Sequence, residues 1–250
     1  MTAKTKSLIL GILVLVDSFF FWYFLKRLLY GDISLTAGLI WTCLAFVELS
    51  VYVGLLFFME RNKWYVLIPM LLSALISFIA VPVSSFGLVL LAFILFILSY
   101  QRIRRAIKYH LRIRPVHILS RGWFIYFLGF ALLVSVAYFH SPGLEPEVVA
   151  SSTLELSREI VKFIPIASPE VIELTLNTIR EQITVFFAES PFAQFIPIGL
   201  AASLFLSIIG LNFVFYWLTG LSLVFIIWLL KKVKIISEET EECQRIIIKF

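Results

Sequence analysis

The sequence predicts an all-α, polytopic integral membrane protein with six transmembrane helices and an extracytoplasmic amphipathic helical hairpin. Three observations carry this. Hydrophobic residues make up 61% of the 250 and charged residues only 15%, against roughly half and a quarter in soluble domains. Mean hydropathy is +0.99. Two stretches, 64–100 and 192–230, contain no charged residue at all. A soluble enzyme, a disordered chain and a disulfide-rich secreted module are excluded by the same numbers.

A spanning helix needs about 20 mainly apolar residues. Residues 7–25 qualify, with Asp17 as the one charge, and 36–59 qualify, with Glu48 as the one charge. The stretch 64–100 is too long for one helix, and Pro82, Ser84, Ser85 and Gly87 supply break chemistry near its middle. It reads as a tight hairpin of spans 64–81 and 85–101. A fifth span, 123–140, is bracketed by Trp123 and Tyr138. Residues 197–230 form a long sixth helix, followed by a tail over 231–250. The expected crossing covers about 211–230, with Tyr216 and Trp217 toward the outer interface and 197–210 projecting or tilted. Gly199, Ser203 and Ser207 recur there every four positions, a small-residue stripe that lets another helix approach.

Charge sets the orientation. The loop 101–121 carries seven basic residues: Arg102, Arg104, Arg105, Lys108, Arg112, Arg114 and Arg121. The positive-inside rule places it in the cytoplasm. Counting spans from it puts 16 Lys/Arg inside and five outside (Lys26, Arg27, Arg158, Lys162 and Arg180). Both termini are then cytoplasmic, and a plasma (inner) membrane location is expected. Lys4 and Lys6 precede an apolar run too long for a signal h-region, so the first span reads as an uncleaved anchor.

Residues 141–196 form the outer segment. Ser141-Pro142-Gly143 opens it as a turn. Val149, Thr153, Leu156, Ile160 and Ile164 make one helical stripe; Ile172, Leu176, Ile179 and Ile183 make a second. Pro146-Glu147-Val148 matches Pro169-Glu170-Val171, and Arg158-Glu159 matches Arg180-Glu181. Shared helix grammar accounts for most of that likeness. The apolar stripes need cover, from the outer membrane surface, from a protein partner or, as the first choice, from the projecting part of the sixth helix.

Asp17 and Glu48 are the sharpest signal, each near the centre of its span. Adjacent antiparallel helices would bring them within about one helical turn of depth. An ionised acid at that depth costs about 2.5–3.5 kcal/mol on insertion scales. One reading is an intramembrane proton or cation site. The other is a hydrogen bond between helices, to Ser73, Ser77 or a backbone carbonyl, worth only about 0.6 kcal/mol on average. Either role in the bundle requires the carboxyls to face inward.

The second signal is basic. If the fourth helix continues into the cytoplasm, Arg102, Arg105, Lys108 and Arg112 share a face and, with Arg104, form candidate contacts for anionic lipid head groups. Ile103, Ile107 and Leu111 line another face. Nucleic acid is not an expected partner; the charges are explained by topology. His110 and His117 lack further ligands for a metal, and Cys43 and Cys243 read as unrelated thiols. The tail run Glu238-Glu239-Thr240-Glu241-Glu242 reads as the acidic first turn of a short helix. The sequence contains no H-E-x-x-H, no G-x-S-x-G and no phosphate loop. The functional expectation is therefore a non-enzymatic accessory or scaffold subunit without a cofactor, its partners being the bilayer and a protein met through the outer hairpin or tail. The alternative is a small-solute or proton-coupled ion transporter using Asp17 and Glu48.

Overall fold

A computed structural model describes residues 3–59, 62–109, 115–144 and 195–232, together with 177, 178, 180–182 and 185. The described residues are helical, with no strand among them. The main elements are α1 (Ala3–Leu29), α2 (Leu35–Met59), α3 (Lys63–Ile76), α4 (Phe86–Tyr109), α5 (Pro115–Phe139) and α6 (Ile196–Lys232). Five helical segments are long and apolar enough to cross a membrane, Ser7–Leu29, Leu35–Phe58, Val83–Lys108, Val116–Phe139 and Pro197–Leu230; Lys63–Ile79 is apolar but shorter.

The junctions follow from local sequence. α1 ends at Gly31, whose φ of 76° needs no Cβ. Gly31 N–H donates to Leu28 O and Asp32 N–H to Arg27 O, the paired bonds of a Schellman cap. Lys26 and Arg27 occupy that last turn, where cations favour the helix dipole. Gly31→Ala is expected to cost about 1 kcal/mol and to lower the thermal midpoint in detergent without altering the helical content read by circular dichroism. Asn62 caps α3 through Oδ1, which accepts from Trp64 N–H at 3.1 Å. α3 closes through a 3-10 turn, Ser77–Ile79, and Pro82 starts a second one, Val83–Ser85, that leads into α4. The break expected within 64–100 is therefore present and lies at the expected proline.

The helices close into a ring. α1 packs on α2 and α3, α2 on α6, α6 on α5, α5 on α4, and α4 on α3. The centre is filled by rings. Phe130 of α5 lies 4.6 Å from Phe21 of α1 and 4.5 Å from Phe46 of α2, between ring centroids. Phe46 and Phe127 both meet Phe215 of α6, at 5.0 and 5.8 Å. Lipid is as apolar as these side chains, so close packing rather than removal from water favours the cluster.

The tightest seam joins α4 to α5. A Cβ on Gly122 would stand 2.6 Å from the Ser99 backbone oxygen and 2.7 Å from Ile103 Cγ1. A Cβ on Gly129, two turns along, would stand 2.9 Å from Phe96 Cε1 and 3.2 Å from Ala92 O. The missing side chains let the helices approach, and Ser99 Oγ donates to Gly122 O at 3.0 Å across the seam.

α6 is one uninterrupted 37-residue helix, about 55 Å long at 1.5 Å per residue. It runs parallel to α2, since Phe215 meets Phe46 and Leu223 meets Gly54. It runs antiparallel to α5, since Phe215 meets Phe127 and Gly220 meets Val116. Its register differs from expectation. Tyr216 donates its hydroxyl to Val116 O at 3.0 Å, in the first turn of α5 and hence at the end opposite the predicted outer interface. The aromatic-belt reading treated Tyr216 as a surface anchor, whereas it is a packing residue between helices. The stripe Gly199, Ser203 and Ser207 is turned to its own helix: Ser203 Oγ donates to Gly199 O and Ser207 Oγ to Ser203 O. No described atom lies within 4 Å of a Cβ built on Gly199 or Gly210.

The outer-segment stripes lie outside the described residues, as do Arg112, Arg114, His110 and the tail beyond Lys232. Of that segment Asn177, Thr178, Arg180, Glu181, Gln182 and Val185 are described, helical and exposed.

Candidate functional site: the intramembrane acids and the basic end

The buried face of α1 is Val14, Ser18, Phe21, Trp22 and Leu25, a helical spacing. Asp17 sits on its flank and is half-buried. The buried face of α2 includes Ala45, Phe46, Leu49, Ser50 and Val53. Glu48 lies off it, exposed on the outside of the ring beside exposed Trp41 and Leu44. Asp17 and Glu48, on adjacent helices, lie within electrostatic range of each other. Tyr52, one turn beyond Glu48, lies in the field of both. One carboxylate oxygen of Asp17, Oδ2, is enclosed and has no hydrogen-bond partner among the described residues.

Of the dyad that the sequence suggested, Glu48 faces outward and Asp17 sits at the edge of the buried face. The partners suggested for it are engaged elsewhere. Ser73 pairs with Ser18, hydroxyl to hydroxyl, at 2.8 Å. Ser77 donates to Ala74 O at 2.6 Å. The hydrogen bond between α1 and α3 therefore belongs to Ser18, a residue that sequence reasoning passed over. Its only signal was helical spacing from Val14 to Trp22, which marks the buried face and puts Asp17 beside it.

Among the described residues, small cavities in the bundle include two of about 10 Å³ each. One is lined by Ser50, Val53, Gly54, Phe57, Ser99 and Trp123 among others, the second by Val14, Val53, Met70, Ser73, Phe96, Tyr126 and Phe130. Neither is lined by Asp17 or Glu48. A space of that size admits about one water molecule.

At the basic end, α4 continues to Tyr109. Arg102, Arg105 and Lys108 are exposed, Arg104 is half-buried, and Ile103 is fully packed beneath them at 1% exposure. The amphipathic continuation expected of the fourth helix is present as far as the described residues reach. Aromatic–cation pairs mark helix ends: Lys63 over Trp64 at 5.5 Å and Lys232 over Trp228 at 5.2 Å at one end of the bundle, Lys26 over Tyr30 at 5.6 Å and Arg27 over Tyr23 at 5.8 Å at the other. Such pairs suit the two water–lipid boundaries, where rings sit at head-group depth and long cations reach outward.

Comparison with known proteins gives no match, whether to a family model, a curated protein or a solved structure.

Proposed function

We propose that this chain is a non-enzymatic accessory or scaffold subunit of a membrane assembly, and that the outer face of α1 and α2 meets a transmembrane helix of another protein. The observation that carries the reading is the position of the acids. Glu48 is exposed on the outside of the ring, and Asp17 Oδ2 beside it is enclosed without a hydrogen-bond partner. A carboxyl facing lipid gains nothing, whereas a partner helix offering a basic or amide side chain would satisfy Glu48 and lie alongside the half-buried Asp17. The aromatic core and the size of the cavities support a packed bundle over an aqueous path.

The topology that fits is six crossings, with both termini on the cytoplasmic side of a plasma (inner) membrane and the segment 141–196 outside as an amphipathic hairpin. Lys63–Ile79 is the short crossing, about 25 Å at 1.5 Å per residue against a hydrocarbon core of about 30 Å. The parallel course of α6 and α2 supports a single crossing by α6, which places Lys231 and Lys232 on the side of the 60–63 loop. Arg102, Arg104, Arg105, Lys108 and Arg112 then face anionic head groups on that side. The outer hairpin covers the projecting start of α6 or adds to the partner contact.

The test is the mass of the assembly from native membranes after mild solubilisation, read by native electrophoresis. The wild-type chain is expected in a complex larger than one chain. Asp17→Leu with Glu48→Leu should reduce it to the single chain, while Asp17→Asn with Glu48→Gln, which keeps hydrogen bonding, should retain part of the complex. A wild-type chain that runs alone, combined with cation flux abolished by the amide pair, would establish the transporter reading instead.

A further inference from the structure

A group of polar side chains lies in the bundle away from the acids, where α2, α4 and α5 meet. Ser50 is 1% exposed and Trp123 is 3% exposed. Ser50 Oγ and Trp123 Nε1 both lack a hydrogen-bond partner among the described residues. Both residues line the same cavity of about 10 Å³, with Ser99 and Tyr126. The Tyr126 side chain neighbours Ser50. Buried polar groups left unpaired are costly, and ordered water is the usual remedy where a site is roomy enough and offers two to four partners.

We propose that this cavity is a binding site for one internal water molecule that ties α2 to α5. The inventory of donors and acceptors fits. Trp123 Nε1–H can only donate, so the water accepts from it. The water donates to Ser50 Oγ, which has free lone pairs. Its second proton has a further acceptor in Ser99 Oγ, whose own proton is committed to Gly122 O at 3.0 Å. The Ser50 hydroxyl proton remains for Tyr126. Each of the two buried atoms gains a partner.

The second cavity is a built-in control. It has the same volume of about 10 Å³ and shares Val53 and Tyr126, but its other lining residues are Val14, Met70, Phe96, Phe130 and Ser73, whose hydroxyl already pairs with Ser18 at 2.8 Å. Apolar cavities stay dry. What distinguishes the first cavity is therefore its two unpaired polar atoms, Ser50 Oγ and Trp123 Nε1, and not its size.

The experiment is nuclear magnetic resonance of the full chain in lipid nanodiscs with ¹⁵N-labelled tryptophan. The indole resonance of Trp123 is identified by its loss in Trp123→Phe. We expect a dipolar cross-peak from its Nε1–H to a water molecule of long residence, weakened several-fold in Ser50→Val, which fills the space. Exposed Trp64 and Trp228 supply the reference for exchanging boundary water. A Trp123 indole with no water cross-peak in the wild-type chain overturns the proposal, whatever the variants do. So does a cross-peak of full strength in a folded Ser50→Val. If Ser50→Val fails to fold, the wild-type cross-peak decides alone.

Discussion

Phe130→Ala should be among the most destabilising single substitutions in the chain. The Phe130 ring stands 4.6 Å from Phe21, 4.5 Å from Phe46 and 5.8 Å from Trp22, between centroids. Removing it strips contacts from α1 and α2 at once, at the middle of the ring of helices. Buried Phe→Ala changes cost about 3–5 kcal/mol in water-soluble cores, part of it for the cavity left behind. The cavity and contact terms persist in lipid, so a loss of about 3 kcal/mol is expected in reversible unfolding from bicelles. Phe130→Leu should cost about half as much, because most of the volume remains. A loss under about 1 kcal/mol for the alanine variant would mean that the aromatic cluster does not hold the bundle together.

Gly122→Leu should be as severe for a different reason. The first added atom would stand 2.6 Å from the Ser99 backbone oxygen, which cannot swing aside as a side-chain tip can. The α4–α5 seam must open, and the Ser99–Gly122 hydrogen bond of 3.0 Å is lost with it. Overpacking of this kind costs about 1–3 kcal/mol or more. Gly122→Ala should already show most of the effect. Gly210→Ala provides the contrast: among the described residues a Cβ there meets no neighbouring helix within 4 Å, and alanine favours helix over glycine by about 1 kcal/mol, so stability should hold or rise. The two alanine variants, compared by unfolding in the same bicelles, separate close approach from glycine content.

The legible part of the fold was the part that composition and breakers determine. Uncharged stretches located the helices, and Pro82 located the hairpin break. The 37-residue α6 was legible as a long helix, because no charge or proline interrupts its later part. Its register was not. Tyr216 looks like a boundary anchor by residue type, but its hydroxyl finds the Val116 carbonyl at 3.0 Å, a pairing 100 residues apart that no local pattern encodes. Acid placement failed in a similar way. Depth along a helix follows from counting, and that is how Asp17 and Glu48 were expected at a common level. Facing does not follow when nearly every neighbour is apolar, because the helix has no polar face to orient it. In α2 the apolar residues surround Glu48 on all sides. The seam glycines 122 and 129 carried a visible signal, small residues seven apart on one helix face. Ser50 and Trp123 carried none, since their meeting depends on how α2 and α5 pack.

The central claim is that Glu48 lies on the outer face of a closed bundle, with Asp17 on the flank beside it, and that neither acid lines an aqueous path. The direct measurement is the reactivity of Glu48→Cys, in a chain with Cys43→Ala and Cys243→Ser, toward a membrane-impermeant cationic thiol reagent and a lipid-soluble maleimide. Thiol reagents of the first kind need a hydrated thiolate. The account predicts no reaction with the cationic reagent from either side of sealed vesicles, and reaction with the lipid-soluble one in the purified chain. Rapid modification by the cationic reagent from one side would contradict it, by placing Glu48 in water.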